Sequence, residues 1–210
     1  KIIEQLETLI RESRSKIFNQ KLRFPDFKYN WKKVNFRDIA TFYSGGTPLT
    51  SKKEYFDGNI PFIRSGEINS DQTEQFITDL GLKNSSAKMV DVGDILYALY
   101  GATSGEVGIS KIKGAINQAV LCIKSTENHY FLYSYLVYKK ESIIKTFLQG
   151  GQGNLSADIV KQLKINLTSL EEQNRIVSFL SKIDQKIEIE KSVLQQLEKQ
   201  KKYLLQQMFV

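Results

Sequence analysis

At 210 residues, 41% hydrophobic and 25% charged, the chain is long enough for one substantial core and has the balance of an ordinary globular protein, which excludes a disordered polymer. A single cysteine excludes an intramolecular disulfide, and one cysteine with one histidine makes a zinc cluster improbable, so no metal site is expected. The formal charge of +7 invites a polyanion, yet residues 25–170 carry 17 basic and 14 acidic groups, so any nucleic-acid site must be assembled by folding rather than read as a basic block.

In chain order, residues 1–20 show helical periodicity, with Ile2, Leu6 and Leu9 on a common seam. The chain opens at Lys1 already inside that periodicity and looks cut from something longer. Arg23-Phe24-Pro25-Asp26-Phe27 breaks this helix and begins a linker. From Trp31 to about Leu167 the β-formers gather in short runs between Gly and Asn. Strands are predicted at Ile60–Ile63, Asp94–Leu99, Val107–Ser110 and Ala119–Ile123, and helices at Tyr130–Leu148 and around Ala157–Leu163. From Glu171 to Met208 there is no Pro or Gly. Leu180, Ile183, Ile187, Leu194, Leu197 and Leu204 there fall on heptad positions, interrupted by Glu190 and Lys201. Ser169 and Glu172 have the spacing of a capping box at its start. Leu6-Glu7-Thr8-Leu9 resembles Leu194-Gln195-Gln196-Leu197, which suggests two helices from one ancestral module. They would pair antiparallel, because the domain between them must return the chain. The predicted fold is therefore mixed α/β: a globular α+β domain flanked by long helices that pair as an antiparallel coiled coil.

Catalytic patterns are scarce. His129 would have to anchor any Ser-His-Asp triad, and it sits in Glu127-Asn128-His129-Tyr130, which reads as a surface helix start. Cys122 lies in an apolar strand, where a buried thiol is expected rather than a nucleophile. There is no P-loop, and the three prolines are isolated, so the Asn-Pro-Pro-aromatic motif of adenine methyltransferases is missing. Asp184-Gln185-Lys186 resembles half of a nuclease motif but falls on the long helix, as a solvated charge face. No apolar stretch approaches the roughly 18 residues needed to span a bilayer, so no membrane is expected, and the cysteine usage suggests a reducing, cytoplasmic setting.

What remains is a series of polar, Gly-rich loops that follow short strands. They are Ser44–Pro48, Arg64–Asn69, Tyr100–Gly108, Asn117-Gln118 and Gly150–Ser156. Glycine lets backbone approach a ligand, and Thr, Ser, Asn, Gln and Arg are the donors that read base edges or hold phosphates. The same composition also suits ordinary hairpin turns. On loop position and donor chemistry, Thr47, Arg64, Tyr100, Thr103, Ser104, Asn117, Gln152 and Asn154 are candidates for base or groove contact, and Lys52, Lys53, Lys111 and Lys113 for phosphates. Arg64 follows an apolar strand, so a structural ion pair is its competing role.

In their order and spacing these segments resemble the specificity subunit of type I restriction–modification enzymes, across essentially the whole chain. Trp31-Lys32-Lys33-Val34 with Gly45-Gly46-Thr47-Pro48 looks like the opening of a target-recognition domain. Ile60-Pro61-Phe62 with Gly66-Glu67-Ile68, Asp91–Leu96 through Gly101, and Asn117-Gln118-Ala119 resemble its later signatures. Leu170-Glu171-Glu172-Gln173-Asn174-Arg175-Ile176-Val177 is similar to the start of a conserved spacer helix. The resemblance implies the end of a preceding spacer helix at 1–24, a target-recognition domain at 25–168 and a spacer helix at 169–210. It implies a non-catalytic subunit without a cofactor of its own, reading one half of a bipartite double-stranded DNA target. The partners it implies are methyltransferase subunits, which would use S-adenosylmethionine, and an ATP-driven restriction subunit. A complete family member carries two recognition domains, so this chain reads either as a C-terminal half or as a half-length version that associates with itself through its helices. The alternatives are a non-catalytic coiled-coil protein-interaction scaffold, or the recognition end of a fused methyltransferase–nuclease.

Overall fold

All four apolar runs predicted as strands form strands in a computed structural model of the chain, which describes residues 1–147 and 154–208. In chain order, α1 (Ile2–Phe18) precedes β1 (Lys32–Asn35), α2 (Phe36–Ile39), β2 (Ala40–Ser44), β3 (Phe56–Ile63), β4 (Phe76–Ile77), α3 (Asp79–Lys83) and β5 (Lys88–Val90). Next come β6 (Ile95–Ala98), β7 (Val107–Ile109), β8 (Gly114–Ile116), β9 (Val120–Ser125), α4 (His129–Phe147), α5 (Ala157–Lys161), β10 (Lys164–Leu167) and α6 (Leu170–Met208). The chain divides into a helical unit, Lys1–Lys28 with Glu171–Val210, and a globular unit, Tyr29–Leu170.

The globular unit holds two four-stranded sheets, ordered β2-β9-β6-β7 and β4-β3-β8-β5, and a two-stranded pair β1-β10. Strand β6 is buried at every position, which is why its sequence reads as an unbroken apolar run rather than an alternating one. Its Leu96 and Ala98 join Val120 and Cys122 of β9 on one face, and these pack against Ile63, Val90 and Ile116 of the second sheet. Side chains alternate along a strand, so Ile95 and Tyr97 point the other way. Helix α4 covers part of the first sheet, buries Phe131, Leu132, Tyr135 and Leu136, and meets the Trp31 ring with Phe131 in a tilted contact at 5.9 Å. A second cluster, Phe62, Ile77, Ala87 and Ala115, fills the far side of the second sheet.

In the helical unit the two helices run antiparallel, as three ion pairs show. Glu7 meets Lys191 (2.8 Å), Arg14 meets Asp184 (2.5 Å), and Arg23 meets Glu172 (2.8 Å). The first two are one heptad apart on both helices, the spacing of a coiled-coil ladder. Leu180 and Ile187 are buried and Ile183 is half-buried. Leu194, Leu197 and Leu204, expected on the same seam, are instead 47%, 55% and 52% exposed. Among the described residues Lys191 makes the outermost cross-helix ion pair, and α1 begins only five residues before Glu7, so α6 runs on past its partner.

The seam of α1 also differs from the expectation. Ile2 and Leu9 are 59% and 48% exposed, Leu6 is half-buried, and the buried stripe runs through Ile10 and Ile17. Two apolar rows compete on this helix. The row Ile2-Leu9 continues seven residues later to Lys16, whereas Ile3-Ile10 continues to Ile17, and the row that stays apolar wins. Helix α1 stops at Phe18, before the Phe24-Pro25 break: Gln20 takes a left-handed φ of 57°, and the Lys21 amide donates back to the Lys16 carbonyl at 2.8 Å. The freed segment returns to α6, with Phe24 against Phe179 and the Arg175 guanidinium over the Phe24 ring.

Candidate nucleic-acid interface

Strand register decides where the polar loops emerge. Ser44 at the end of β2 lies opposite Leu121 near the start of β9, and Ala98 at the end of β6 lies opposite Val120. Tyr97 lies opposite Val107, the start of β7. The 44–48, 99–106 and 117–119 segments therefore leave one end of the first sheet. Strands β3 and β8 are parallel, with Ile63 beside Ile116, so Arg64 and Asn117 emerge side by side at that same end. The Leu155 amide donates to the Leu99 carbonyl (3.0 Å), the Leu99 amide to Ala119 (2.8 Å), and the Gly45 amide to Asn117 (3.2 Å). Four loops that are far apart in sequence are thus joined by backbone hydrogen bonds, and the pairing of β3 with β8 sets the Arg64 loop beside them.

The donors on this surface are partly pre-set. Thr47 Oγ1 donates to Gln118 Oε1 at 2.8 Å, with both side chains exposed. Asn117 uses its Oδ1 to accept from the Ala119 amide (3.0 Å), which shapes the turn. Ser104 donates its hydroxyl hydrogen to the Leu99 carbonyl (2.8 Å) and so braces the loop that carries Tyr100 and Thr103. That loop needs glycine at Gly101 and Gly105, whose φ values are +78° and +83°. Tyr100 is exposed, Thr103 is half-buried, and Asn154 is exposed beside Leu155. Gln152 lies outside the described residues.

Arg64 makes the ion pair raised as its competing role. Its Nε and Nη2 donate to Glu67 (3.2 and 3.0 Å), and Nη2 also reaches Glu74 (2.6 Å). Burial pushes the Glu67 carboxyl up, but the hydrogen bonds from Arg64 and from the Arg64 and Glu74 amides outweigh it and hold the group down at about 2. A folded-state value below the ordinary 4.5 stabilises the fold fully above that pH and loses the contribution as pH falls through about 2. Acid unfolding of Glu67→Gln is therefore expected to show a wild-type advantage of about 2–3 kcal/mol at neutral pH that shrinks steadily below pH 4.5. A constant gap down to pH 2.5 refutes the clasp.

Lys111 and Lys113 do not join this surface. Lys111 and Lys113 lie in the turn between β7 and β8, and because Ile109 pairs with Ile95, that turn is at the opposite end of the first sheet. Lys113 is held there by Asp91 (3.3 Å). Lys52 and Lys53 precede β3 rather than follow it, with Lys52 near Glu54 (3.6 Å). His129 is also at the far end, its two ring nitrogens 2.8 Å from the Gly93 carbonyl and 3.0 Å from that of Ser125, a brace at the start of α4. Cys122 is fully buried and burial pushes its thiol up to about 12, so it is not a nucleophile at neutral pH. Sequence reasoning passed over Gln118, adjacent to a chosen residue, and Glu67, whose i,i+3 spacing from Arg64 was the signal for the clasp. Among the described residues no group of three or more His, Cys, Asp and Glu is placed to hold a metal, and no helix is long and apolar enough to cross a membrane.

Residues 28–199 match the family model of the type I restriction modification DNA specificity domain. The specificity subunit of the type I restriction enzyme EcoR124I/EcoR124II from Escherichia coli is 27% identical over 177 residues, 79% of this chain and 43% of that protein. The MjaIX specificity subunit from Methanocaldococcus jannaschii is 29% identical over 180 residues, 81% of this chain and 41% of that protein. The chain thus spans less than half the length of these curated relatives. Among solved structures, the S subunit of a type I restriction-modification system from M. genitalium has the same fold, with a TM-score of 0.73 at 18% identity over 99% of this chain and 55% of that one. With more than three quarters of its length inside the family model, and with the fold of a solved S subunit, the chain belongs to the type I restriction modification DNA specificity domain family.

Proposed function

We propose that residues 25–168 are a target-recognition domain that reads one half of a bipartite double-stranded DNA sequence, and that 1–24 and 169–210 are spacer helices that dock modification subunits. The observation that carries this reading is the gathering of five Gly- and amide-rich loops at one end of the sheets, four through the hydrogen bonds of Gly45, Leu99 and Leu155 and the Arg64 loop through the pairing of β3 with β8. Uncharged donors on a glycine-bearing surface suit base edges, and they explain how a domain with a small net charge can still select DNA. The reader is non-catalytic. S-adenosylmethionine and ATP belong to the modification and restriction subunits that would assemble on it, in a cytoplasmic setting. The exposed Leu194, Leu197 and Leu204 of α6 supply an apolar row for a subunit partner or for self-association.

The test is to sequence methylated adenines in cells that carry the protein with its modification subunits. A split motif with a fixed gap is expected, changed in one half only by Thr47→Ala with Gln118→Ala. Methylation without any sequence motif sinks the reading.

A further inference from the structure

Arg64 leaves β3 beside Asn117, at the loop cluster, yet its guanidinium already holds two carboxylates of very different character. Glu67 is 14% exposed in its side chain and is itself fixed, accepting from the Arg64 amide (3.0 Å), the Glu74 amide (3.0 Å) and Thr73 Oγ1 (3.2 Å). Glu74 is 83% exposed, and among the described residues its carboxylate meets the cluster through Arg64 Nη2 alone. Glu67 therefore aims the guanidinium from behind, and Glu74 lies against it as an exposed surface anion.

An arginine reads guanine with two parallel hydrogen bonds to O6 and N7. The Nε/Nη2 edge of Arg64 is taken by Glu67, so the end-on edge, Nη1 with Nη2, is the one left to present. Nη1 has no partner among the described residues. Nη2 has two hydrogens, one directed to Glu67 and the other to Glu74, so Glu74 occupies the one donor that end-on reading lacks. A Glu74 carboxylate that swings aside stays nearby and repels a phosphate, whereas the guanine edge is neutral.

We propose that Arg64 is the guanine reader of this domain, aimed by Glu67 and masked by Glu74 until a guanine displaces it. This rests on the loop cluster being the DNA-reading surface. Glu74 thereby acts as a filter: its displaced carboxylate repels a phosphate but not the neutral acceptor pair of a guanine.

The experiment selects bound duplexes from a randomised pool with the protein assembled with its modification subunits, as wild type, Arg64→Lys and Glu74→Gln. Wild type is expected to enrich guanine at one position of one half-site. Arg64→Lys keeps the charge but not the fork and should lose about 5- to 150-fold of discrimination at that position alone. Glu74→Gln leaves the Arg64–Glu67 clasp intact and should tighten binding to guanine-bearing duplexes over those with another base there. The proposal is overturned if Arg64→Lys keeps every preference, or if Glu74→Gln tightens all sequences alike, which marks Arg64 as a phosphate contact. Should Arg64→Lys prove poorly folded, Glu74→Gln decides alone. A wild-type pool without any enriched motif sinks the reader function itself, an outcome separate from the other two.

Discussion

Gly45→Ala is expected to lower the unfolding free energy by about 3 kcal/mol, the upper end of the usual cost of overpacking, and to abolish sequence discrimination. A Cβ on Gly45 would lie 1.7 Å from the Ile116 carbonyl oxygen and 2.6 Å from its carbon. Both are backbone atoms of β8, a buried strand paired on both sides, so neither can rotate away. The 44–48 segment must move instead, which breaks the hydrogen bond from the Gly45 amide to the Asn117 carbonyl and separates Thr47 from Gln118. Stability and reading are thus lost together, because one close approach supports both. Two neighbours calibrate the effect. At Gly46 the nearest atom is the Ser86 hydroxyl at 1.9 Å, the tip of a side chain that can turn, so Gly46→Ala should cost less. At Gly66 nothing lies within 4 Å, and Gly66→Ala should stay within about 0.5 kcal/mol of wild type. Urea midpoints of the three variants check the ranking; an unchanged midpoint for Gly45→Ala refutes the close approach.

The same loop cluster shows what a single sequence carries and what it does not. Local physics was legible: the apolar runs at β3, β6, β7 and β9 and the Pro- and Gly-free stretch of α6 announce their own structure, because each depends on neighbours in the chain. The five loops were likewise visible as glycine with amide and hydroxyl donors. Their meeting was not, because it depends on the pairing of β9 with β2 and β6 and of β3 with β8, segments some twenty-five to eighty residues apart, and no local pattern states which strands pair. Lys111 and Lys113 illustrate the cost. Their charge suits phosphates, but β7 is a three-residue strand running the other way, which carries them to the far end of the sheet from the loop cluster. Arg64 was legible only as an alternative, since a reader and an ion-pair partner have the same residue type and differ in what stands three residues on.

In the helical unit, Arg23→Ala should destabilise the fold by about 3–5 kcal/mol, far more than the removal of an exposed charge. The Arg23 guanidinium donates through Nε (2.8 Å) and Nη2 (3.0 Å) to the two oxygens of Glu172, whose side chain is 2% exposed. Truncation takes away two charge-assisted hydrogen bonds and the positive charge beside a buried carboxylate. The exposed pair between Lys16 and Glu12, both more than half open to solvent at 3.4 Å, sets the other limit, and Lys16→Ala should cost less than about 1 kcal/mol. Arg23→Lys keeps the charge without the fork and should fall between. The decisive comparison is the double variant Arg23→Ala with Glu172→Gln. If the loss comes from an uncompensated buried charge, neutralising that charge should restore part of the stability, so the double variant unfolds at higher urea than Arg23→Ala alone. If the loss comes only from the contacts of the arginine stem, the second substitution gives no recovery and the ion-pair account of this clasp fails.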